Sequence, residues 1–464
     1  RWISQRDPHQ FGRRGSGGRE AFRAKKLNLF TMDTISASKS GTQAKGDILA
    51  PSPVKVARVA LVGVSGFADV HLKTIRRGVE RGLLEFVAVT IINQEEEPEK
   101  CREIRELGAK IYGTFDEMIQ GISGKVELCF IPTGIHLHAP MVISALEAGA
   151  NVFVEKPAAA TVQDVLEIKR VSERRGRFVA VGFQNLYDES IHWMKECILA
   201  GGIGELRSVK SMGLWPRTDR YYKRNSWAGQ LRVGDDWMLD SPFNNAFAHQ
   251  LNMICFLAGK TFEKPAELDS IEAELYRARE IDSPDTACMR IQSTGGVPLL
   301  FFSSHVSREL RDPVIVATGS QGEMVWEMDG VRHFDSNGVE IERRENRSWV
   351  SLRDRILAAV LKRISDPREF ICGPEIALAH TISVNGAHES STVHRIPEKY
   401  CSDYTREGEH WMAVDQIEEQ ISEAFDQDLL LSETGAVPWA RRGKKFLLKG
   451  YKNFPAALNL RLFV

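Results

Sequence analysis

The sequence predicts an α/β chain whose first part is a parallel sheet of βαβ units and whose second part is an α+β region with an antiparallel sheet. Apolar runs that stop at glycine alternate with helical stripes between residue 54 and about 180. Beyond about Gly182 the apolar residues switch to a period of two. At 464 residues, 43% hydrophobic and 27% charged, the chain is long enough for two domains and too apolar to be disordered. Lys+Arg is 61 against 62 Asp+Glu, and no apolar run approaches the roughly 18 residues of a membrane span. No nucleic-acid partner and no membrane partner is expected.

Residues 1–54 precede the regular pattern. Arg1 to Phe30 is basic and broken by Gly-Ser-Gly-Gly, and the first methionine is Met32. Arg13-Arg14 is followed by a Gly/Arg/Lys-rich stretch instead of an apolar one, so no signal peptide is read. A disordered or extraneous extension is the expectation, with a nucleic-acid arm as the alternative. From Val54, VKVARVALVG reads as a buried strand. Ile75, Val79 and Leu83 mark a helix, Phe86–Ile92 and Val126–Ile131 two more strands, Met141–Ala150 a helix and Val152–Val154 a strand. A nucleotide-binding domain is therefore placed at 55–180, and an α+β substrate or oligomerisation domain with a C-terminal extension at 181–464.

In that second region Ile271, Ala273 and Leu275 alternate with Glu272, Glu274 and Tyr276, and Ala287, Met289 and Ile291 with Cys288, Arg290 and Gln292. PLLFFSS, PVIVAT and EMVWEM follow as further strands, which predicts a sheet with one face covered. The basic, aromatic stretch VPWARRGKKFLLKGYK near the end reads as a solvated or packed face, an oligomer contact or a closing element. The seven cysteines (101, 129, 197, 255, 288, 372, 401) are scattered without a CxxC pair, so neither a disulfide framework nor a zinc site is read. Free thiols in a reducing, cytoplasmic setting and no metal are expected.

The first strand runs into Gly63-Val64-Ser65-Gly66-Phe67-Ala68 and then a helix. A dinucleotide turn needs glycine at the tight bend, a small residue where the pyrophosphate approaches and another where helix meets strand. Gly63, Ser65 and Ala68 meet those needs in a degraded form, with Gly66 adding freedom and Phe67 opening the helix. The second strand ends in Asn93-Gln94 where an acid normally grips the ribose hydroxyls, so NAD versus NADP stays open.

Val154-Glu155-Lys156-Pro157 ends a later strand, at the sheet edge where such folds bind ligands. Pro157 holds the preceding backbone extended and so aims Lys156. With IPTGIHLHAPMVISALEAGANVFVEKP, VGFQ at 181–184, GGIGELRSV at 201–209 and AHQLNMICFLAG at 248–259, the chain resembles the Gfo/Idh/MocA family of nicotinamide-dependent sugar and cyclitol oxidoreductases over roughly 55–390. The resemblance implies a Rossmann domain, a parallel doubly wound sheet, followed by an α+β domain with an open, mainly antiparallel sheet often used for oligomerisation. It also implies that Lys156 contacts both nicotinamide ribose and substrate hydroxyl. Thr133, His138, Glu155 and Gln184 would lie along the cofactor.

Leu251, Ile254, Cys255 and Ala258 share one helical face, and Asn245, His249 and Asn252 share another that would point into a cleft. In the family His249 matches the catalytic histidine, while both flanking acids are asparagine here. A carboxylate for proton relay would then come from Asp240 or Asp236. Upstream, Tyr221-Tyr222-Lys223-Arg224-Asn225-Ser226-Trp227 suits a polyol site, with Tyr222, Arg224 and Trp227 as substrate contacts alongside Asp240 and Asn245.

The resemblance implies an NAD- or NADP-dependent dehydrogenase that moves hydride between nicotinamide and a carbinol carbon of a sugar, sugar derivative or cyclitol. Lys156 and His249 would be the catalytic pair, and the chain a homo-oligomer, dimer or tetramer. The alternative on the same fold is a nucleotide-binding regulator, or a redox-neutral glycosidase- or epimerase-type enzyme with retained NAD.

Overall fold

Strand β1 (Ala57–Val62) is apolar but for Arg58 because both of its faces are covered. In the computed structural model, which describes residues 56–456, it is the centre of a parallel sheet; the expected extension over 1–54 lies outside the described residues. Helix α1 (Ala68–Glu80), β2 (Leu84–Thr90), α2 (Pro98–Glu106), β3 (Lys110–Tyr112), α3 (Phe115–Ile122), β4 (Leu128–Ile131), α4 (Ile135–Glu147), β5 (Asn151–Val154), α5 (Val162–Arg175) and β6 (Val179–Val181) complete the unit. The strand order β3-β2-β1-β4-β5-β6 reverses direction between β1 and β4, the switch point at which doubly wound sheets open a ligand crevice. Several boundaries differ from expectation, the strand read as Phe86–Ile92 being Leu84–Thr90. Leu83 lies past the end of α1, on a turn made by Gly82 with φ +67°. Helix α4 starts at Ile135, carries Pro140 within it and ends at Glu147, against the expected Met141–Ala150.

The second sheet has ten strands. After α6 (Glu189–Leu199) come β7 (Leu206–Leu214), α7 (Asp219–Tyr222), the small hairpin β8 (Arg232–Val233) and β9 (Asp236–Trp237), and α8 (Ala248–Leu257). Then follow β10 (Leu268–Arg277), β11 (Thr286–Ser293), β12 (Pro298–Ser304), β13 (Arg311–Gly319), β14 (Gly322–Glu327), β15 (Gly330–Asp335) and β16 (Glu340–Glu345). Helices α9 (Trp349–Ser365) and α10 (Pro374–Ser390), strand β17 (Val393–Arg395), the hairpin β18 (Cys401–Arg406) and β19 (Glu409–Val414), α11 (Ile417–Gln427) and β20 (Phe446–Leu447) finish the described chain. The order is β16-β15-β14-β13-β7-β12-β11-β10-β17, with β20 also on β10, and only the β7–β12 and β10–β17 pairs are parallel. The sheet is therefore open and mainly antiparallel.

One expectation about this sheet is corrected. Its inner face, with Ile271, Ala273 and Leu275, packs on helices such as α10, as the alternation predicts. Its outer face is covered as well. Glu274 accepts from Ser432 and Tyr276, Trp439 stands edge-on to the Tyr276 ring at 4.9 Å, and Phe425 of α11 packs on Phe302 at 5.9 Å. The basic aromatic stretch is thus a packed strap. At Gly443 a Cβ would sit 1.9 Å from the Ala273 carbonyl oxygen, so only glycine lets the strap lie this close. Among the described residues no helix is long and apolar enough to cross a membrane, and no cluster of three or more His, Cys, Asp or Glu side chains suits a metal ion.

Candidate active site

A cavity of about 640 Å³ opens at the carboxyl ends of the parallel strands, with residues 215–227 and 245–250 as its other wall. The turn after β1 contributes Gly66 and Phe67, the turn after β4 Thr133, the end of β5 Glu155 and Lys156, and the segment after β6 Gln184. The turn itself is built by left-handed glycines, Gly63 at φ +79° and Gly66 at φ +57°. Gly63 N–H bonds the Thr90 carbonyl at 2.9 Å, which seats the turn on β2. A Cβ on Gly66 would meet nothing within 4 Å, and no side chain caps the first turn of α1. The N–H groups of Ala68, Asp69 and Val70 bond the carbonyls of Ser65, Gly66 and Phe67, so the room a phosphate requires lies in front of the turn, at the positive end of α1.

Lys156 projects from the edge of β5 into the cavity. Its ammonium donates to the main-chain carbonyl of Asn245 at 2.8 Å and to the Asn245 amide oxygen at 2.9 Å. An ammonium has three donors, so one remains for a ligand. The Asn245 amide nitrogen donates in turn to Asp240 at 2.9 Å, and Asp240 also accepts from Gly229 N–H at 2.8 Å. Burial pulls the Lys156 pKa down, while Glu155 and Asp240 hold it up against Arg353 and Arg224. Burial pushes Glu155 up, but the hydrogen bond to His71 at 2.8 Å and the charges of His71, Arg353 and Lys156 outweigh it and bring the carboxyl to about 2. Glu155 is a fixed anion beneath the lysine.

His249 faces the same cavity from the first turn of α8. Its Nδ1 is buried without a hydrogen-bond partner, and burial, Lys156 and Arg353 take its pKa well below the usual histidine value against the pull of Glu155. The imidazole is neutral at neutral pH. The Thr133 hydroxyl, also on the cavity, is a second buried polar atom without a partner. Buried polar atoms left open at one cleft mark a place where a ligand completes the bonding. The donors and acceptors present fit a dinucleotide lying from the Gly66 turn past Thr133 to Lys156.

The cavity gathers Gly66, Phe67, Thr133, Glu155, Lys156, Gln184, Arg224, Trp227, Asn245 and His249 of the sequence-predicted residues. Others stand behind it. Gly63 and Ala68 build the turn, a Cβ on the glycine lying 3.7 Å from that of the alanine. Ser65 donates to Glu97 at 2.6 Å, and Asn93 donates to Glu96 at 3.1 Å. His138 sits between the carbonyls of Pro157 at 2.7 Å and Thr133 at 3.1 Å, where it braces the loop that presents Thr133. Asp240 reaches Asn245 instead of His249, and Asp236 is exposed on β9. Tyr222 turns under Arg279, whose guanidinium lies 5.3 Å from its ring; its neighbour Tyr221 takes the place on the cavity. Asn252, one turn further along α8, does not line the cavity; it is buried beside Cys372.

Sequence reasoning missed the supports of Glu155. His71 comes from α1 and Arg353 from α9, and Arg353 bonds Glu155 at 3.2 Å and Gln184 at 2.8 Å. It also missed Trp215 and Arg217 on the cavity wall. No motif marks any of these four residues.

Residues 57–183 match the family model described as "Oxidoreductase family, NAD-binding Rossmann fold". Inositol 2-dehydrogenase 3 of Saccharopolyspora erythraea is 34% identical over 194 residues, 41% of this chain and 55% of the relative. Inositol 2-dehydrogenase/D-chiro-inositol 3-dehydrogenase of Halalkalibacterium halodurans is 27% identical over 207 residues, 44% and 54% of the two chains. The matched segment thus spans about half the length of these relatives. The WlbA dehydrogenase from Bordetella pertussis, solved in complex with NADH and UDP-GlcNAcA, shares the fold with a TM-score of 0.58 at 19% identity, over 72% of this chain and 97% of its own. With its parallel sheet, its glycine turn and this match, residues 57–183 carry the NAD-binding Rossmann fold of that oxidoreductase family.

Proposed function

We propose that the protein is an NAD(P)-dependent oxidoreductase acting on a carbinol carbon of a sugar, sugar derivative or cyclitol. One observation carries the reading: the Lys156 ammonium is fixed by two bonds to Asn245, with its third donor free in the cavity that the neutral His249 shares. Gly66, Phe67, Thr133, Glu155 and Gln184 would hold the cofactor along the sheet edge. When bound, the nicotinamide supplies the hydride acceptor or donor. Lys156 donates a hydrogen bond to the substrate oxygen and stabilises the negative charge that develops there. His249 accepts the hydroxyl proton in the oxidative direction and returns it in the reductive one. Asp240 and Asn245 act through Lys156 by fixing where its charge sits.

The test is a fluorescence titration of the purified protein with NADH and with NADPH, followed by a polyol panel with whichever binds. Saturable binding and nucleotide-dependent turnover on the panel are expected. A protein that binds neither nucleotide and releases none on denaturation is not this enzyme. Binding without turnover supports the regulator, and conversion of the sugar without net NADH supports a redox-neutral enzyme.

A further inference from the structure

We infer that the substrate carries an anionic group, a carboxylate or a phosphate, which Arg217 receives in the cavity wall opposite Lys156; this rests on the dehydrogenase reading above. Arg217 follows the end of β7 and lines the cavity. Its guanidinium lies 5.5 Å from the Trp215 ring and 4.9 Å from the Tyr221 ring. No carboxylate among the described residues forms an ion pair with it, and its Nε is buried without a hydrogen-bond partner. The guanidinium is half-buried and meets the Tyr221 hydroxyl, which leaves donors without a counter-ion, and a planar fork of donors is the geometry that receives a carboxylate or phosphate in pairs of bonds.

The nearby acids are already engaged. Asp219 pairs with Arg279 and with His410, the latter at 2.9 Å. Asp240 lies behind Asn245 and meets Arg224 only at 3.5 Å. Glu155, on the far wall, is matched by His71 and Arg353. Lys156, Arg217 and Arg224 therefore give the cavity a net positive charge. His305, whose Nδ1 bonds the Trp215 carbonyl at 2.8 Å, feels the same field: burial and then Arg217 push its pKa down to about 3.

The arginine is also held in place before any ligand arrives. Arg217 N–H donates to the His305 carbonyl at 3.0 Å, and Arg279 donates to the Arg217 carbonyl at 2.7 Å. Thr218 next to it bridges to Trp411 of the β18–β19 hairpin. Such preorganisation favours a specific ligand over a diffuse ion.

The probes are D-glucuronate and glucose 6-phosphate against neutral glucose, titrated onto the NADH-bound protein with tryptophan fluorescence as the readout. Trp215 and Trp227 flank the site. Binding of one anionic probe roughly 10- to 100-fold tighter than glucose is expected, and which one wins separates carboxylate from phosphate. Arg217→Gln should erase that preference, while Arg217→Lys should keep part of it, with NADH affinity unchanged in both. Retention of the wild-type preference in a folded Arg217→Gln protein overturns the assignment. So does equal binding of charged and neutral probes by wild type with NADH bound. Failure of the wild-type protein to bind either NADH or NADPH, with none released on denaturation, overturns the dehydrogenase reading itself, and this assignment with it; if only NADPH binds, the same titrations are made on the NADPH-bound protein.

Discussion

At the scale of single residues, the proposed chemistry depends on fixing charge where a substrate oxygen would sit. Lys156 is the group nearest that task, so Lys156→Ala should lower kcat by about 10²–10³-fold, the loss typical of one oxyanion donor, with little change in NADH affinity. Unchanged kcat would remove the lysine from the chemistry. Asn245→Ala removes the ammonium's amide-oxygen anchor and its link to Asp240 while keeping the main-chain carbonyl, and about a tenfold loss in kcat is expected, since displacing the proposed catalytic group is costly even when it is still present. The histidine makes a prediction with a definite sign. Burial and Lys156 depress its pKa, so the neutral, proton-accepting form prevails from pH 6 to 8. The oxidative kcat/KM should therefore show no inflection near pH 6.5. An inflection there in wild type that vanishes in His249→Gln would show an imidazole titrating in the ordinary range.

At the scale of elements, Glu155 ties three of them together: β5, which carries it, α1 through His71 and α9 through Arg353. The folded-state pKa of about 2 lies below the ordinary 4.5, so its contribution is fully present above 4.5 and is lost as pH falls towards 2. Thermal unfolding measured across that window should fall less steeply with pH in Glu155→Gln than in wild type. Helix α8 has a comparable anchor. The buried Lys195 of α6 donates to the carbonyls of Phe256 at 2.6 Å, Leu257 at 3.4 Å and Gly259 at 2.5 Å, at the helix end where carbonyls lack intrahelical partners. Lys195→Met should cost about 2–3 kcal/mol in denaturant unfolding, because those carbonyls stay buried. What was legible in the sequence follows the same division. The β1 turn and the strand end at Lys156 are local, encoded by adjacent glycines and a proline, and both stand where the pattern put them. His71 and Arg353 are supports across 84 and 198 positions, and nothing near them signals the partner. Asn252 shares the helical spacing of His249, but spacing says nothing of depth along α8, and there the residue is buried beside Cys372.

At the scale of the whole molecule, the outer face of the second sheet decides what the protein can associate with. The period-two pattern of β10 and β11 looks solvent-facing on that side, since Glu274, Tyr276 and Arg290 are polar. Each of them meets the chain's own later segment: Glu274 and Tyr276 the strap at Ser432 and Arg441, and Arg290 the carboxylate of Glu433 at 2.6 Å. Helix α11 closes the adjoining patch, with Lys210 bonding the Phe425 carbonyl at 2.7 Å and lying 4.5 Å from its ring. A homo-oligomer built on the β7 and β10–β12 face would have to displace this cover, so we propose that any assembly of the full chain uses another surface. Phe425→Asp tests the point by placing a charge against Phe302 under α11. A loss of about 3–5 kcal/mol is expected, the range for emptying a buried phenylalanine site. Sedimentation of that variant should show larger species than wild type, because the uncovered apolar face seeks a second copy. If its sedimentation and thermal unfolding match those of wild type, α11 is not what keeps this face from association.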